Sequence, residues 1–116
     1  MKQARELTSM IDSGMVHVIL VHGMCGKCGG VCGIYPEEPD VFYIWLNGDA
    51  SEYNILSSFK HELWHIGRGD FDRNCSVQEI EAAAHKAQEK NFYGYFDGVN
   101  LIPYIKNAEV MTVDYN

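Results

Sequence analysis

The pentapeptide His61-Glu62-Leu63-Trp64-His65 is the sequence feature that most constrains the fold, because its chemistry requires a helix. Residues four positions apart lie on the same face of a helix, so the two imidazoles can converge on one metal ion. Glu62 directly follows the first histidine, where its carboxylate can reach a water at the ion without binding the ion. The spacing H-E-x-x-H is typical of zinc hydrolases and predicts a metal-binding helix.

The residues around this motif predict a helix over 52–66 that packs firmly. Ser51 can serve as its N-cap, and Gly67 and Gly69 can end it after the second histidine. Apolar residues recur at steps of three and four and predict a buried stripe: Ile55, Leu56, Phe59, Leu63 and Ile66. The alternative is an ordinary amphipathic helix whose His and Glu are surface polar residues, and the packed context favours the metal-binding interpretation.

Length and charge narrow the class of protein. With 116 residues, the chain is expected to form a single domain over 1–116 with its own core. Residues 15–21 form the most apolar run, which is too short to span a bilayer, and no signal-peptide core follows the charged start, so we expect a cytoplasmic protein without membrane contact. A net charge of −7 argues against direct nucleic-acid binding, because phosphate contacts need a basic surface.

Hydrophobic patterns and turn residues predict the order of elements. The expected elements are a helix over 2–12, strands over 16–21, 31–35 and 41–46, the motif helix, a helix over 77–91, and then loops with a short helix. This order predicts an α+β fold in which a small, mostly antiparallel sheet packs against the motif helix and a second ligand-bearing helix. If strand 41–46 is an edge strand beside the metal, its free N–H and C=O groups can bind an extended peptide.

A catalytic zinc ion needs a third protein ligand, and several downstream residues have suitable chemistry. The candidates are Asp70, Asp72, Glu79, Glu81 and His85. Glu79 and Glu81 are separated by about 200° around a helix, so only one of them can face the metal. Glu81 begins the small run Ala82–Ala84, which lets two helices approach closely, whereas Glu79 is the N3 residue of a capping box that begins at Ser76.

The motif and the downstream pair Glu79-Ile80-Glu81-Ala82 resemble the ImmA/IrrE-type metallopeptidases, whose pattern reads H-E-L-G-H and then E-x-E-A. The resemblance covers roughly residues 33–87 and implies a minimal zincin-like fold. It implies that His61, His65 and Glu81 bind zinc and that Glu62 is the catalytic base.

Members of that family are bacterial or phage-borne, and several cleave or inactivate a helix-turn-helix repressor. The resemblance therefore implies a zinc-dependent endopeptidase that acts on a specific protein or peptide partner, such as a transcriptional repressor. The alternative is a non-catalytic, metal-stabilised module of the same fold that binds a repressor or antitoxin.

This chain departs from the family pattern at Trp64, where the family has glycine, and we expect its bulk to restrict access of substrates to the site. The run after Glu81 also differs, since it reads Ala-Ala-Ala-His-Lys. A peptidase needs a donor for the oxyanion of its transition state, and three side chains are candidates for this role: His85, Tyr93 and Tyr95.

Four cysteines raise the question of a second metal ion. Cys25, Cys28 and Cys32 lie close together, His22 precedes them, and Cys75 could supply a fourth thiolate. Their spacing matches no standard zinc finger, so we favour free thiols in a glycine-rich loop over a second zinc ion or a redox pair. If the cysteines were the main metal site, the chain would be a small interaction domain.

Overall fold

The computed structural model describes residues 1–24, 28–72 and 75–113. In chain order its elements are α1 (Ala4–Asp12), β1 (Val16–His22), β2 (Gly30–Tyr35), β3 (Glu38–Asn47), α2 (Glu52–Arg68), α3 (Val77–Glu89), a 3₁₀ turn (Asn91–Gly94), α4 (Ile102–Lys106) and β4 (Glu109–Thr112). The predicted α+β class is confirmed, and each predicted helix and strand occurs close to its expected bounds. Strand β4 lies in the segment where loops and a short helix were expected.

The four strands form one mixed sheet with the order β2-β3-β1-β4. Strand β1 pairs in parallel with both β3 and β4, while β2 and β3 form an antiparallel hairpin. The expectation of a mostly antiparallel sheet was therefore wrong. The reason is the way the β2–β3 hairpin joins the sheet. Its second strand, β3, lies beside β1 and runs in the same direction, while β2 lies at the edge of the sheet.

The position of β3 does not meet the condition for peptide binding by strand 41–46. Strand 41–46 is part of β3, which lies between β2 and β1 and has both sides paired. The edge strand on that side of the sheet is β2 instead. A peptide that adds to this side of the sheet would therefore meet β2.

The core lies between the sheet and α2. Alternate side chains of β1 and β3 point toward α2 and are buried, among them Val18, Ile44 and Leu46. The predicted stripe of α2 packs against them, and Phe59 and Leu63 are fully buried. This packing holds the motif helix in a fixed orientation relative to the sheet.

Helix α2 begins and ends as its sequence predicts. The Ser51 hydroxyl accepts a hydrogen bond from the Asn54 N–H at 3.2 Å, and Gly69 ends the helix in the left-handed conformation with φ of 71°. The backbone N–H of Gly69 then donates to the Ile66 carbonyl. Because of this turn, the chain reverses directly after the second histidine.

Helix α3 packs on the same core through its small residues. Ala84 and Ala87 are buried, which permits the close approach to α2 that the alanine run predicts. Ser76 caps α3 by accepting a hydrogen bond from the Glu79 N–H at 3.2 Å. No helix in the described part of the chain combines the length and apolar character needed to cross a membrane.

Candidate metal centre

Helices α2 and α3 bring His61, His65 and Glu81 together. The Nε2 atoms of the two histidines are 3.1 Å apart. The two Glu81 carboxylate oxygens lie 3.3 Å from His61 Nε2 and 3.1 Å from His65 Nε2. Within the described ranges, this is the single group of three or more His, Cys, Asp or Glu residues whose ligand atoms are close enough to hold a metal ion.

The separations of these atoms fit a tetrahedral ion. Two ligand atoms that are each 2.0–2.1 Å from such an ion lie roughly 3.3 Å from one another. The observed separations of 3.1–3.3 Å are close to this value, with a different Glu81 oxygen nearest each histidine. With one ligand atom taken from each residue, the three atoms lie within 4.8 Å of one another. Two imidazole nitrogens and one carboxylate are also a donor set that zinc prefers. His61, His65 and Glu81 can therefore hold a metal ion.

The far nitrogen of each histidine is bound by a second residue that orients the ring. Asp70 Oδ2 lies 2.9 Å from His65 Nδ1, and both side chains are buried. Gln88 Oε1 lies 3.1 Å from His61 Nδ1, and its amide donates to Ser57 Oγ at 2.8 Å. With Nδ1–H donating outward, each Nε2 directs its lone pair at the centre, which is how metal-binding histidines are commonly held.

Asp70 therefore has a different place from the one the sequence suggested. It was a candidate for the third ligand, but it contacts the nitrogen of His65 that points away from the centre. The turn at Gly69 places Asp70 there, because this turn reverses the chain just after the helix.

Asp72 and Glu79, two further candidates, are exposed and line no part of the cavity at the centre. Gln88 was not predicted, although it lies seven residues after Glu81, on the same face of α3.

A cavity of about 560 Å³ opens beside the centre. Its walls come from β2, α2, α3 and the turn after α2, and it contains the predicted base Glu62, whose side chain is buried. Strand β2 contributes residues 30–32 to the wall, so the free edge of the sheet borders the metal centre. The cavity thus joins the Glu62 carboxylate, the three residues that can hold a metal ion and an open strand edge.

Cys32 lies in this cavity. Burial of the thiol raises the pKa of Cys32 far above its ordinary value, and the charge of Glu62 and a hydrogen bond with Glu62 raise it further. The thiol is therefore protonated at neutral pH and can donate to the Glu62 carboxylate.

The cysteine cluster considered from the sequence can be compared with the structure only in part, because Cys25 lies outside the described residues. Cys28 and Cys75 are exposed free thiols.

The three candidates for the oxyanion donor occupy different places. His85 lines the cavity, with its Nε2 atom 4.0 Å from Glu81 Oε2 and its ring centroid 5.4 Å from that of His61. Tyr93 and Tyr95 instead pack on the ring of Trp64, outside the cavity. The Tyr95 hydroxyl donates to the Lys2 carbonyl, and burial of the ring with the nearby Glu6 raises the pKa of Tyr95 to about 12.

Trp64 does not obstruct the centre. Its ring is buried on another face of α2, where it contacts Phe92 at 5.6 Å and Tyr95 at 5.4 Å between ring centroids. It is absent from the residues that line the cavity. The expectation that its bulk restricts access to the site was wrong, because this position faces the C-terminal aromatic cluster.

Comparison of the chain with protein-family models, with curated proteins and with solved structures finds no match.

Proposed function

We propose that this chain is a zinc-dependent endopeptidase of the ImmA/IrrE type that acts on a specific protein partner, such as a helix-turn-helix repressor. The observation that supports this function best is the arrangement of Glu62 and the open cavity around the His61, His65 and Glu81 atoms. A catalytic zinc site has three protein ligands and keeps one position open, and its general base is not a ligand. A purely structural zinc site would instead be closed by a fourth protein ligand.

The chain's own residues suit each step of peptide hydrolysis. A zinc ion at this site would polarise the scissile carbonyl and make the attacking water more acidic. Glu62 takes the proton from that water and returns it to the leaving amine. The free edge of β2 holds the substrate backbone in an extended conformation, and His85 donates a hydrogen bond to the developing oxyanion.

We also infer that the protein works in the cytoplasm. The described cysteines, Cys28, Cys32 and Cys75, are free thiols, as expected in a reducing compartment. The target is inferred to be another protein and not DNA, because the net charge of −7 opposes direct binding to phosphates.

Replacement of the base tests the function. Glu62→Gln should keep the metal and the fold, because Glu62 is not a ligand, and it should lower the cleavage rate by about 10²- to 10⁴-fold, the usual contribution of acid–base catalysis. The partner is first recovered on immobilised Glu62→Gln protein, which should bind without cutting. Wild type is then added to the recovered partner, and cleavage is followed by mass spectrometry.

The matched control is Glu89→Gln, which removes an exposed carboxylate near the end of α3 and should cleave like wild type. Cleavage by Glu62→Gln at the wild-type rate would exclude Glu62 as the base. A partner that stays intact and bound in the presence of both wild type and Glu62→Gln would favour the non-catalytic binding module.

A further inference from the structure

The face of the sheet that points away from α2, which we call the outer face, carries a cluster of aromatic rings. In β3, Ile44 and Leu46 point into the core, so Tyr43 and Trp45 point to the outer face. The ring of His17 in β1 stacks on Tyr43 at 4.9 Å, and Tyr43 stacks on Trp45 at 5.8 Å between centroids. Tyr35 of β2 stands at 72° against Tyr43, at 4.9 Å. These rings form a continuous platform across three strands.

This platform is outside the core cluster and is partly open to solvent. The rings of His17, Tyr43 and Trp45 are half-buried, and Ile19 and Val21, which point to the same face, are buried. None of its four rings belongs to the core cluster. That cluster contains the buried residues of the helices and of the opposite face of the sheet. Tyr35 is 47% exposed, and Met111, which shares the outer face, is also 47% exposed. Every helix in the described ranges contributes its buried residues to the other face of the sheet.

Carboxylates flank the platform on both sides. Glu38 is the strand partner of Tyr35, and Glu109 is the partner of Ile19, which in turn pairs with Trp45. Regular strand partners point to the same face, so Glu109 belongs to the outer face. The pairing is irregular at Tyr35, and Glu38 is placed on the outer face by its hydrogen bond with Tyr43. Partial burial and the neighbouring Glu38 raise the pKa of Tyr43, which agrees with this placement. The four strands contain no lysine or arginine.

We propose that the outer face binds a basic segment of a protein partner, with an arginine or lysine side chain lying on the aromatic platform between Glu38 and Glu109. A guanidinium or ammonium group is attracted to the faces of aromatic rings, and nearby carboxylates strengthen this attraction. The net charge of −7 also draws positively charged partners. The same charge disfavours nucleic acid and a second copy of this chain, which would bring acidic groups against acidic groups.

This surface is separate from the metal centre, which lies on the α2 side of the sheet, and the proposal is independent of peptidase activity. It is tested with a fluorescein-labelled peptide of alternating arginine and glycine, titrated with the full chain and followed by anisotropy at low ionic strength. A peptide of alternating glutamine and glycine is the neutral probe. The arginine peptide should bind, and the glutamine peptide should bind at least about tenfold more weakly.

Two substitutions on the outer face and two matched controls locate the binding site. Tyr35→Ala and Glu38→Gln should each weaken binding of the arginine peptide by about two- to fivefold. The first control, Tyr53→Ala, removes a tyrosine of α2 that is 80% exposed. The second, Glu89→Gln, removes an exposed carboxylate of α3. Neither substitution should change the affinity. Tyr35→Leu keeps the apolar bulk without the ring and replaces Tyr35→Ala if that variant fails to fold.

Three results would overturn the proposal. One is equal weakening by Glu38→Gln and Glu89→Gln, which would mean attraction by net charge alone. Another is equal affinity for the arginine and glutamine peptides, which would mean a merely apolar surface. The third is a wild-type dimer in sedimentation velocity that Tyr35→Leu converts to monomer, because the outer face would then be covered by a second copy.

Discussion

At the scale of single residues, the site depends on the two different nitrogens of His65. Nε2 points at the metal centre and lies 3.1 Å from Glu81, while Nδ1 contacts Asp70 at 2.9 Å. The buried Asp70 carboxylate fixes the ring orientation and keeps the proton on Nδ1. His65 can therefore present a preformed lone pair to an ion, and we expect Asp70 to contribute to metal affinity without being a ligand.

Asp70→Asn should weaken zinc binding by about 10- to 100-fold, because the amide no longer supplies the charge that holds the Nδ1 proton. Zinc affinity is measured by competition with a chromophoric chelator. Asp72→Asn is the matched control, since it removes an exposed carboxylate two residues further along and should leave the affinity unchanged. An equal loss of affinity in both variants would mean that Asp70 acts only through the overall charge.

At the scale of elements, the metal cavity depends on how closely β2 approaches its neighbours. A Cβ atom at Gly30 would lie 2.9 Å from Leu46 Cδ2, 3.0 Å from the Trp45 carbonyl oxygen and 3.7 Å from Glu62 Cγ. Only glycine allows the strand to enter the sheet here and to border the cavity beside the base. A Cβ atom at Gly33, on the same strand, would lie 3.6 Å from its nearest neighbour, a ring atom of Trp45, which is an ordinary contact distance.

Gly30→Ala should lower the free energy of unfolding by about 1–3 kcal/mol, because the new methyl group meets the buried Leu46 side chain and the Trp45 carbonyl oxygen, neither of which can easily move. Gly33→Ala is the matched control and should be neutral or stabilising by about 0.4–1 kcal/mol, since it only restricts the unfolded chain. Urea denaturation curves measure both changes. Equal stability of the two variants would show that the close approach at Gly30 is not required for folding.

At the scale of the whole molecule, the metal centre connects two helices that are distant in the chain. The residues that can hold the ion come from α2 and from α3, and the turn between these helices also supplies Asp70. An ion that binds this arrangement binds the folded chain and not the unfolded one, where the ligands are apart. The stability of the fold should therefore depend on the metal concentration.

Zinc at about 100 times its Kd should stabilise the folded chain by roughly 2.7 kcal/mol and raise Tm by roughly 10 °C in differential scanning calorimetry. Glu79→Gln should show the same increase, and Glu81→Gln should lose it, because Glu81 is the candidate ligand from α3. The test uses a background in which Cys25, Cys28 and Cys75 are serine, so these three thiols contribute no binding. An undiminished increase in Glu81→Gln would place the metal elsewhere.

The sequence by itself predicts the features of this protein that depend on local spacing. The pair His61 and His65, the cap at Ser51 and the buried stripe of α2 follow from the helical period, and the alanine run indicated that Glu81 faces α2. These features are properties of one helix or of two successive helices. They survive in the tertiary structure because each is encoded within a few residues.

Only the tertiary structure decides the features that depend on pairing between distant segments. The strand order makes β2, and not β3, an edge strand. Strand β4 was not predicted, because its four residues are all exposed and lack the alternation that marks a strand in the sequence. Trp64 packs on the C-terminal rings and Cys32 contacts Glu62 because long-range packing brings those segments together. The physical reason is that a local pattern specifies which face of an element is buried, whereas the element that buries it is selected by the packing of the whole chain.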